Sequence, residues 1–252
     1  MEWNEIVKIV APYIVKIETP TGHGTGFLCL YNEDKSLFGV ATALHVVSYA
    51  DEWQQPIRLQ HYPSSTTMFL KAESNKRERV IFTDPDTDSA VILSNPGPLK
   101  LPKDSLALLQ RSSALPIGSE VGWLGFPALA PSTLCFFQGS ISASQEHGYL
   151  IDGVAINGVS GGPVFFWKED VKGVYTIGTI SAYRPNWATG DALPGLSIAR
   201  DVSHFHDVIK TVHSLDQAVA EKRKQEEEQA KRLQPPALAP ERVTDKVLGS
   251  RS

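Results

Sequence analysis

The sequence predicts an all-β chain of two packed antiparallel barrels followed by a C-terminal α-helix. Short apolar runs recur up to about residue 180, separated by turn residues and with no helical stretch between them. Gly and Pro are plentiful, at 19 and 17 of 252 residues, as a chain of many short strands requires. After residue 201 the apolar spacing changes to three and four, the period of a helix face.

Taken in order, residues 2–11 predict a short helix that stops before Pro12. Strands are expected at Tyr13 to Glu18, Gly26 to Leu30, Phe38 to Ala43, Ile57 to Leu59, Thr67 to Leu70, Arg79 to Phe82 and Ala90 to Leu93. The stretch from Asn95 to Pro102 holds four prolines and glycines in a row of eight and breaks any element, so it marks the connector between the two halves. The second half repeats the style at Glu120 to Phe126, Cys135 to Ser142, Gly162 to Phe166 and Val174 to Ile180. The first barrel is expected over about 12–100 and the second over about 105–200. Val202, Phe205, Val208, Ile209, Val212 and Leu215 line one helix face that should pack on the second barrel. The helix is expected over 202–233 and solvated after about residue 220, since Glu221 to Arg232 has nothing to bury. Pairs such as Glu227 with Lys231 can still support it. Pro235-Pro236 ends it, and 234–252 reads as a disordered tail.

The charge balance, 24 basic against 28 acidic residues for a net −4, gives no reason to expect a nucleic-acid partner. No apolar run approaches the roughly 18 residues that span a bilayer, so no membrane association is expected. Two acids in Met1-Glu2-Trp3-Asn4-Glu5 stand where an export signal carries bases, and the expected location is the cytoplasm. Cys29 and Cys135 could pair arithmetically; two reduced core thiols is the preferred reading.

Gly158-Val159-Ser160-Gly161-Gly162-Pro163 carries the strongest chemical signal. A nucleophilic serine needs an exposed hydroxyl and backbone N–H groups aimed at a developing oxyanion, and flanking glycines allow so tight a turn. The same letters fit the G-x-S-x-G elbow of α/β-hydrolases, which needs a helix starting at the serine. Gly161-Gly162-Pro163 is a poor helix start and apolar strand residues follow it. The downstream His204 and His206 sit on the helical stretch. Upstream, Ala41 to Val47 places His45 at the end of an apolar strand, and Asp84 to Leu93 places Asp88 just before another. A lone histidine or acid there is commonly a core residue or a turn cap. All three in the chain order His, Asp, Ser make a nucleophile, base and orienting acid the better reading, with Asp86 as the alternative acid.

These segments resemble the trypsin-like serine peptidases, specifically the disulfide-free branch that includes the HtrA proteases. Thr42-Ala43-Leu44-His45-Val46-Val47 is similar to the family's histidine motif, Asp88-Ser89-Ala90-Val91 to its acid motif and the Ser160 segment to its serine motif. Gly24-Thr25-Gly26-Phe27, Leu124-Gly125-Phe126-Pro127 and Gln138 to Ala143 match more softly, and the resemblance runs from about 12 to 210. It implies two six-stranded barrels and a serine endopeptidase working through an acyl-enzyme, with His45, Asp88 and Ser160 as the triad. It also implies an oxyanion hole from the Gly158 and Ser160 N–H groups. Val154 would lie at the floor of the pocket for the residue before the scissile bond, and Ile180-Ser181-Ala182 would pair with substrate, so aliphatic or medium apolar side chains are expected there. The chemistry calls for no cofactor or metal.

Two departures stand out: no PDZ domain is expected in the 42 residues after Lys210, and Val159 replaces the family's usual Asp or Asn. Without that carboxylate, no activating N-terminal cleavage is expected. The partner expected is a protein or peptide substrate; the C-terminal helix and tail read first as a projecting stalk, with a docking handle for a regulatory protein as the alternative. The rival reading is a catalytically silent binding module or a partner-regulated subunit on the same fold.

Overall fold

Turn residues cut the first half of the chain into short strands, of which the central ones are buried on both faces. The computed structural model describes residues 1–73, 76–170, 172–185 and 192–233. It begins with α1 (Trp3–Val10) and a 3-10 turn at Ala11–Tyr13. There follow β1 (Ile14–Thr19), β2 (Gly22–Tyr31), β3 (Phe38–Ala43), the helix α2 (Leu44–Glu52), β4 (Ile57–His61) and β5 (Thr67–Leu70). The small pair β6 (Ala72–Glu73) and β7 (Lys76–Arg77) leads to β8 (Arg79–Asp84) and β9 (Ser89–Ser94). Except for β6 and β7, these strands form one seven-stranded sheet in the order β5-β4-β1-β2-β3-β9-β8.

The double-barrel architecture expected from the sequence is present, its first half being a seven-stranded half-barrel whose ladder does not close. Arg79 spans the gap between the end strands. Its guanidinium, 6% exposed, donates to Leu70 O on β5 at 2.9 Å, and also to Gln55 O and to Ala50 O on α2, each at 2.8 Å. A side chain with five donors can satisfy carbonyls that no neighbouring strand reaches.

The second half does close. β10 (Glu120–Gly125), β11 (Cys135–Gln145), β12 (Gly148–Asp152), β13 (Pro163–Lys168), β14 (Gly173–Pro185) and β15 (Ala192–Asp201) form a barrel ordered β10-β11-β12-β15-β14-β13. Two of its strands, β12 and β15, escape sequence patterning, because Gly148, Asp152, Pro194 and Gly195 read as turn residues. Between the barrels, Leu106 N–H bonds Leu28 O, and Ala107 and Leu109 exchange bonds with Thr176. The connector thus touches both halves.

The last element is α3 (Ser203–Leu233), which crosses between two compact units, Met1–Ser214 and Leu215–Ser252. In the first unit Val202, Phe205, Val208 and Val212 are buried, with Phe205 edge-on to Phe27 at 6.0 Å. Arg111 also forks onto the Asp207 carboxylate. The expected apolar face ends sooner than its sequence period: Leu215 is 57% exposed, so packing stops near Val212 rather than at Leu215. In the second unit the described side chains are mostly exposed, with Lys222 facing Glu226 at 3.8 Å. The expected tail, 234–252, and the side chains of Lys231 and Arg232 lie outside the described residues. Both thiols are free, but only Cys29 is a core residue; Cys135 is partly exposed. Among the described residues no helix is long and apolar enough to cross a membrane.

Candidate active site

The histidine is not on a strand end but on a helix. β3 is buried along its whole length to Ala43; from Leu44 the buried positions Val46, Val47 and Ala50 fall at helical spacing, and α2 begins. A helix start leaves N–H groups without intrahelical acceptors. Asp88, from the turn between β8 and β9, supplies them: Leu44 N–H donates to Asp88 O at 2.9 Å and His45 N–H to Asp88 Oδ1 at 3.0 Å. That turn is itself tied by Asp84, which accepts from Asp86 N–H at 3.1 Å and from the Thr87 hydroxyl at 2.8 Å. Asp88 takes φ +48°, a left-handed backbone that aspartate tolerates better than most residues. Asp86, the alternative acid, is exposed, and it is Asp88 that meets His45.

The remaining Asp88 oxygen, Oδ2, meets His45 Nδ1 at 2.8 Å and accepts the Ser181 hydroxyl at 2.5 Å. A carboxylate only accepts, so Nδ1 carries the hydrogen and Nε2 is left with its lone pair. Burial alone would raise the Asp88 carboxyl. The hydrogen bonds from His45 and Ser181, the proximity of His45 and the His45 backbone N–H hold it below its ordinary value instead.

Ser160 sits in a turn whose carbonyls are each committed. Asn157 O accepts from Ala128 N–H at 2.6 Å, Gly158 O from the Thr25 hydroxyl at 2.9 Å, Val159 O from Gly162 N–H at 2.9 Å and Ser160 O from Thr25 N–H at 2.8 Å. Across a trans peptide the N–H points opposite to the C=O. The Gly158 and Ser160 N–H groups therefore face away from these anchors, and among the described residues neither has an acceptor. Gly158 (φ +91°) could not carry a side chain, since a Cβ would stand 2.4 Å from Phe126 O and 2.5 Å from His23 Nε2. Gly161 (φ +81°) is equally excluded, its Cβ falling 2.1 Å from Thr42 Oγ1. The chain then enters β13 at Pro163, a strand, so no helix follows the serine as an α/β-hydrolase elbow would need. His204 and His206 lie on α3 and bond the backbone carbonyls of Phe82 and Leu109.

His45, Asp88 and Ser160 open onto one cavity of about 320 Å³ whose other walls are Ala155, Ile156, Asn157, Ile180 and Ser181. His45 and Ser160 also border a second cavity of about 220 Å³ with His23, Val46 and Gly158. No hydrogen bond joins Ser160 Oγ to His45 among the described residues.

Val154 is 49% exposed and is not among the residues that line the cavity, where Ala155 and Ile156 stand. Ile180 gives its N–H to Gly162 O and its C=O to Gly161 N–H, so its backbone braces the serine loop instead of pairing with a substrate. Ser181 spends its hydroxyl on Asp88, a role that single-sequence patterning does not reveal. The Ala182 side chain lies outside the described residues. Val159, wholly buried, packs in the second-barrel cluster with Trp123, Ile141 and Val164, so apolar contact anchors the loop.

No protein-family model matches the chain. No curated protein sequence matches it. Solved structures do. A crystal structure of the inactive form of Rv3671c from M. tuberculosis H37Rv, a serine-to-alanine mutant, is similar with a TM-score of 0.57 at 18% identity, over 83% of this chain and 91% of that one. A serine endoprotease from Yersinia pestis is similar with a TM-score of 0.59 at 18% identity, over 84% of this chain but 66% of the other. With one closed six-stranded barrel, a curled seven-stranded sheet and a C-terminal helix, the chain has the trypsin-like double-barrel fold of serine proteases.

Proposed function

We propose that the protein is a serine endopeptidase acting through an acyl-enzyme, with His45, Asp88 and Ser160 as its triad. The observation that carries this reading is the convergence of an Asp88-held His45, a free Nε2 lone pair and two acceptor-less N–H groups around Ser160. Ser160 Oγ attacks the scissile carbonyl while His45 Nε2 takes its proton and later passes it to the leaving amine. Asp88 keeps the imidazole in that tautomer and stabilises it once charged. The carbonyl oxygen, now anionic, receives the Gly158 and Ser160 N–H groups. Free active sites often hold the serine–histidine contact long and shorten it when substrate arrives.

The cavity supports a preference for aliphatic or medium apolar side chains before the scissile bond. Ala155, Ile156 and Ile180 supply apolar wall, and the one acid among its described lining residues, Asp88, is committed to His45 and Ser181. Labelling with a fluorophosphonate, followed by peptide-library cleavage, tests both levels. Wild type should label at Ser160, and Ser160→Ala and His45→Ala should lower hydrolysis by about 10⁴ to 10⁶. Hydrolysis by Ser160→Ala within about tenfold of wild type would sink the assignment. A library dominated by Arg or Lys before the cut would refute the apolar preference alone.

A further inference from the structure

Thr25 belongs to β2 in the first sheet, yet most of its polar atoms serve the second barrel. The residue is wholly buried. Its N–H donates to Ser160 O at 2.8 Å. Its hydroxyl meets Gly158 O at 2.9 Å and Phe126 N–H at 3.0 Å. A carbonyl only accepts and an N–H only donates, so the single hydroxyl hydrogen goes to Gly158 and a lone pair receives Phe126. Its own carbonyl takes the Thr42 hydroxyl at 2.7 Å and lies against Gly161, where a Cβ would approach it to 2.2 Å.

What this holds is a glycine, with no side chain to restrict its backbone. A glycine moves through φ and ψ at little steric cost, so sterics alone do not keep Gly158 at φ +91°. Its N–H lies in the peptide plane before it, pinned by Ala128 N–H on Asn157 O at 2.6 Å. The plane after it is held by the Thr25 hydroxyl on Gly158 O and by Val159 N–H on Ile156 O at 3.0 Å, which fixes Gly158 from its other side. Phe126, whose N–H binds the same hydroxyl, also accepts the His23 Nε2–H at 3.0 Å, and Ala128 is two residues on. Thr25 thus ties the Phe126–Ala128 segment and the serine loop to one buried oxygen. A valine has nearly the same shape but would leave Phe126 N–H and Gly158 O without partners, which frees the Phe126–Ala128 segment to shift and with it the Ala128 N–H that orients the Gly158 N–H plane.

We propose that Thr25 is a positioning residue for the oxyanion-binding N–H groups, its hydroxyl setting the orientation of Gly158 from across the barrel interface. This rests on the endopeptidase reading. The residue touches no substrate, so its loss slows the chemical step and leaves ground-state binding in place.

The test compares purified full-length wild type, Thr25→Val and Thr25→Ser. Each is assayed on a peptide amide that wild type cleaves, on inhibition by a peptidyl boronic acid ending in an apolar residue, and by thermal melting. The boronate forms a tetrahedral adduct on Ser160 that places an anionic oxygen against the Gly158 and Ser160 N–H groups. Thr25→Val should lose about 10- to 100-fold in kcat with KM within about twofold, and boronate affinity should weaken by the same factor. Thr25→Ser, which keeps the hydroxyl, should stay within about threefold of wild type on all three kinetic measures. If Thr25→Val does not fold, Thr25→Ala against Thr25→Ser carries the same contrast without forcing a methyl into the hydroxyl's place. The inference fails if the variant lacking the hydroxyl melts earlier yet keeps its kcat, or if Thr25→Ser is as slow as that variant. Folded wild type that neither cleaves peptides nor labels with fluorophosphonate overturns the endopeptidase reading and this inference with it. An active wild type beside an unimpaired Thr25→Val overturns the inference alone.

Discussion

Val159→Asp places a carboxylate directly before the serine, and in this fold it should be harmful. Val159 is wholly buried in an apolar cluster with Trp123, Ile141, Val164, Ile177 and Ile180. Losing the valine's apolar burial costs about 1.5–3 kcal/mol. Aspartate is close to valine in volume, so the cavity contribution is small, but its carboxyl must be kept neutral or expelled. Holding an acid with an ordinary pKa of about 3.9 in its protonated form costs about 1.4 kcal/mol per pH unit above that value. The charge alone therefore costs about 1.5 kcal/mol at pH 5 and about 5.5 kcal/mol at pH 8. The sign follows from proton uptake: the folded variant holds a proton that the unfolded chain releases, so destabilisation grows as pH rises. At pH 8 the sum, about 7–8.5 kcal/mol, rivals the 5–15 kcal/mol that typically separates folded from unfolded domains, so the fold is lost or the loop swings out with its activity. Urea unfolding followed by tryptophan fluorescence at pH 5 and pH 8 measures this, with Val159→Ala as a pH-insensitive control. A Val159→Asp protein equally stable at both pH values and within about 1 kcal/mol of wild type would refute the reasoning. Turnover that rises on trimming its N-terminus would show that the carboxylate had found a cation.

Asp88→Asn keeps the shape of the Asp88 site but reverses hydrogen-bond polarity toward His45 Nδ1, so kcat should fall by about 10⁴ with little change in KM; a loss under about tenfold would remove Asp88 from the mechanism. Deleting residues 215–252 should leave melting temperature and peptide hydrolysis nearly unchanged. Deleting from Ser203 onward removes the buried Phe205, Val208 and Val212, about 1.5–3 kcal/mol each, and should unfold the domain in circular dichroism. Acid should destabilise the protein in two steps. Burial, partly opposed by the hydrogen bond to Pro12 O, holds His61 below the usual histidine range, so the unfolded chain takes its proton first and stability falls as pH drops below about 6.5. Asp88 is held below the usual carboxylate range, so its contribution is lost only at still lower pH. A His61→Gln variant whose melting temperature declines between pH 7 and 5 as steeply as wild type would assign the first step to another group.

Much of the fold was legible because short strands announce themselves locally. β3 and β5 fall on the expected residues, since an apolar run bounded by turn residues is a statement about neighbours in sequence. α2 was hidden for the same reason: Val46 and Val47 continue the apolar run of β3, and only the acceptor that Asp88 offers to the Leu44 and His45 N–H groups explains why the chain turns helical there. β12 and β15 were missed because barrel pairing outweighs the turn bias of Gly148, Pro194 and Gly195.

The candidate site divides along the same line. The sequence by itself singled out the residues proposed to carry the chemistry, because a glycine-flanked serine and a His, Asp, Ser order are written in residue identity and spacing. Tertiary structure alone decided that Ser181 completes the shell of Asp88, that Ala155 and Ile156 line the cavity, and that Arg79 holds the open edge of the first sheet. Each of these depends on pairs far apart in sequence, such as Ser181 with Asp88 or Thr25 with Gly158, and a hydrogen bond between distant segments leaves no local pattern to read.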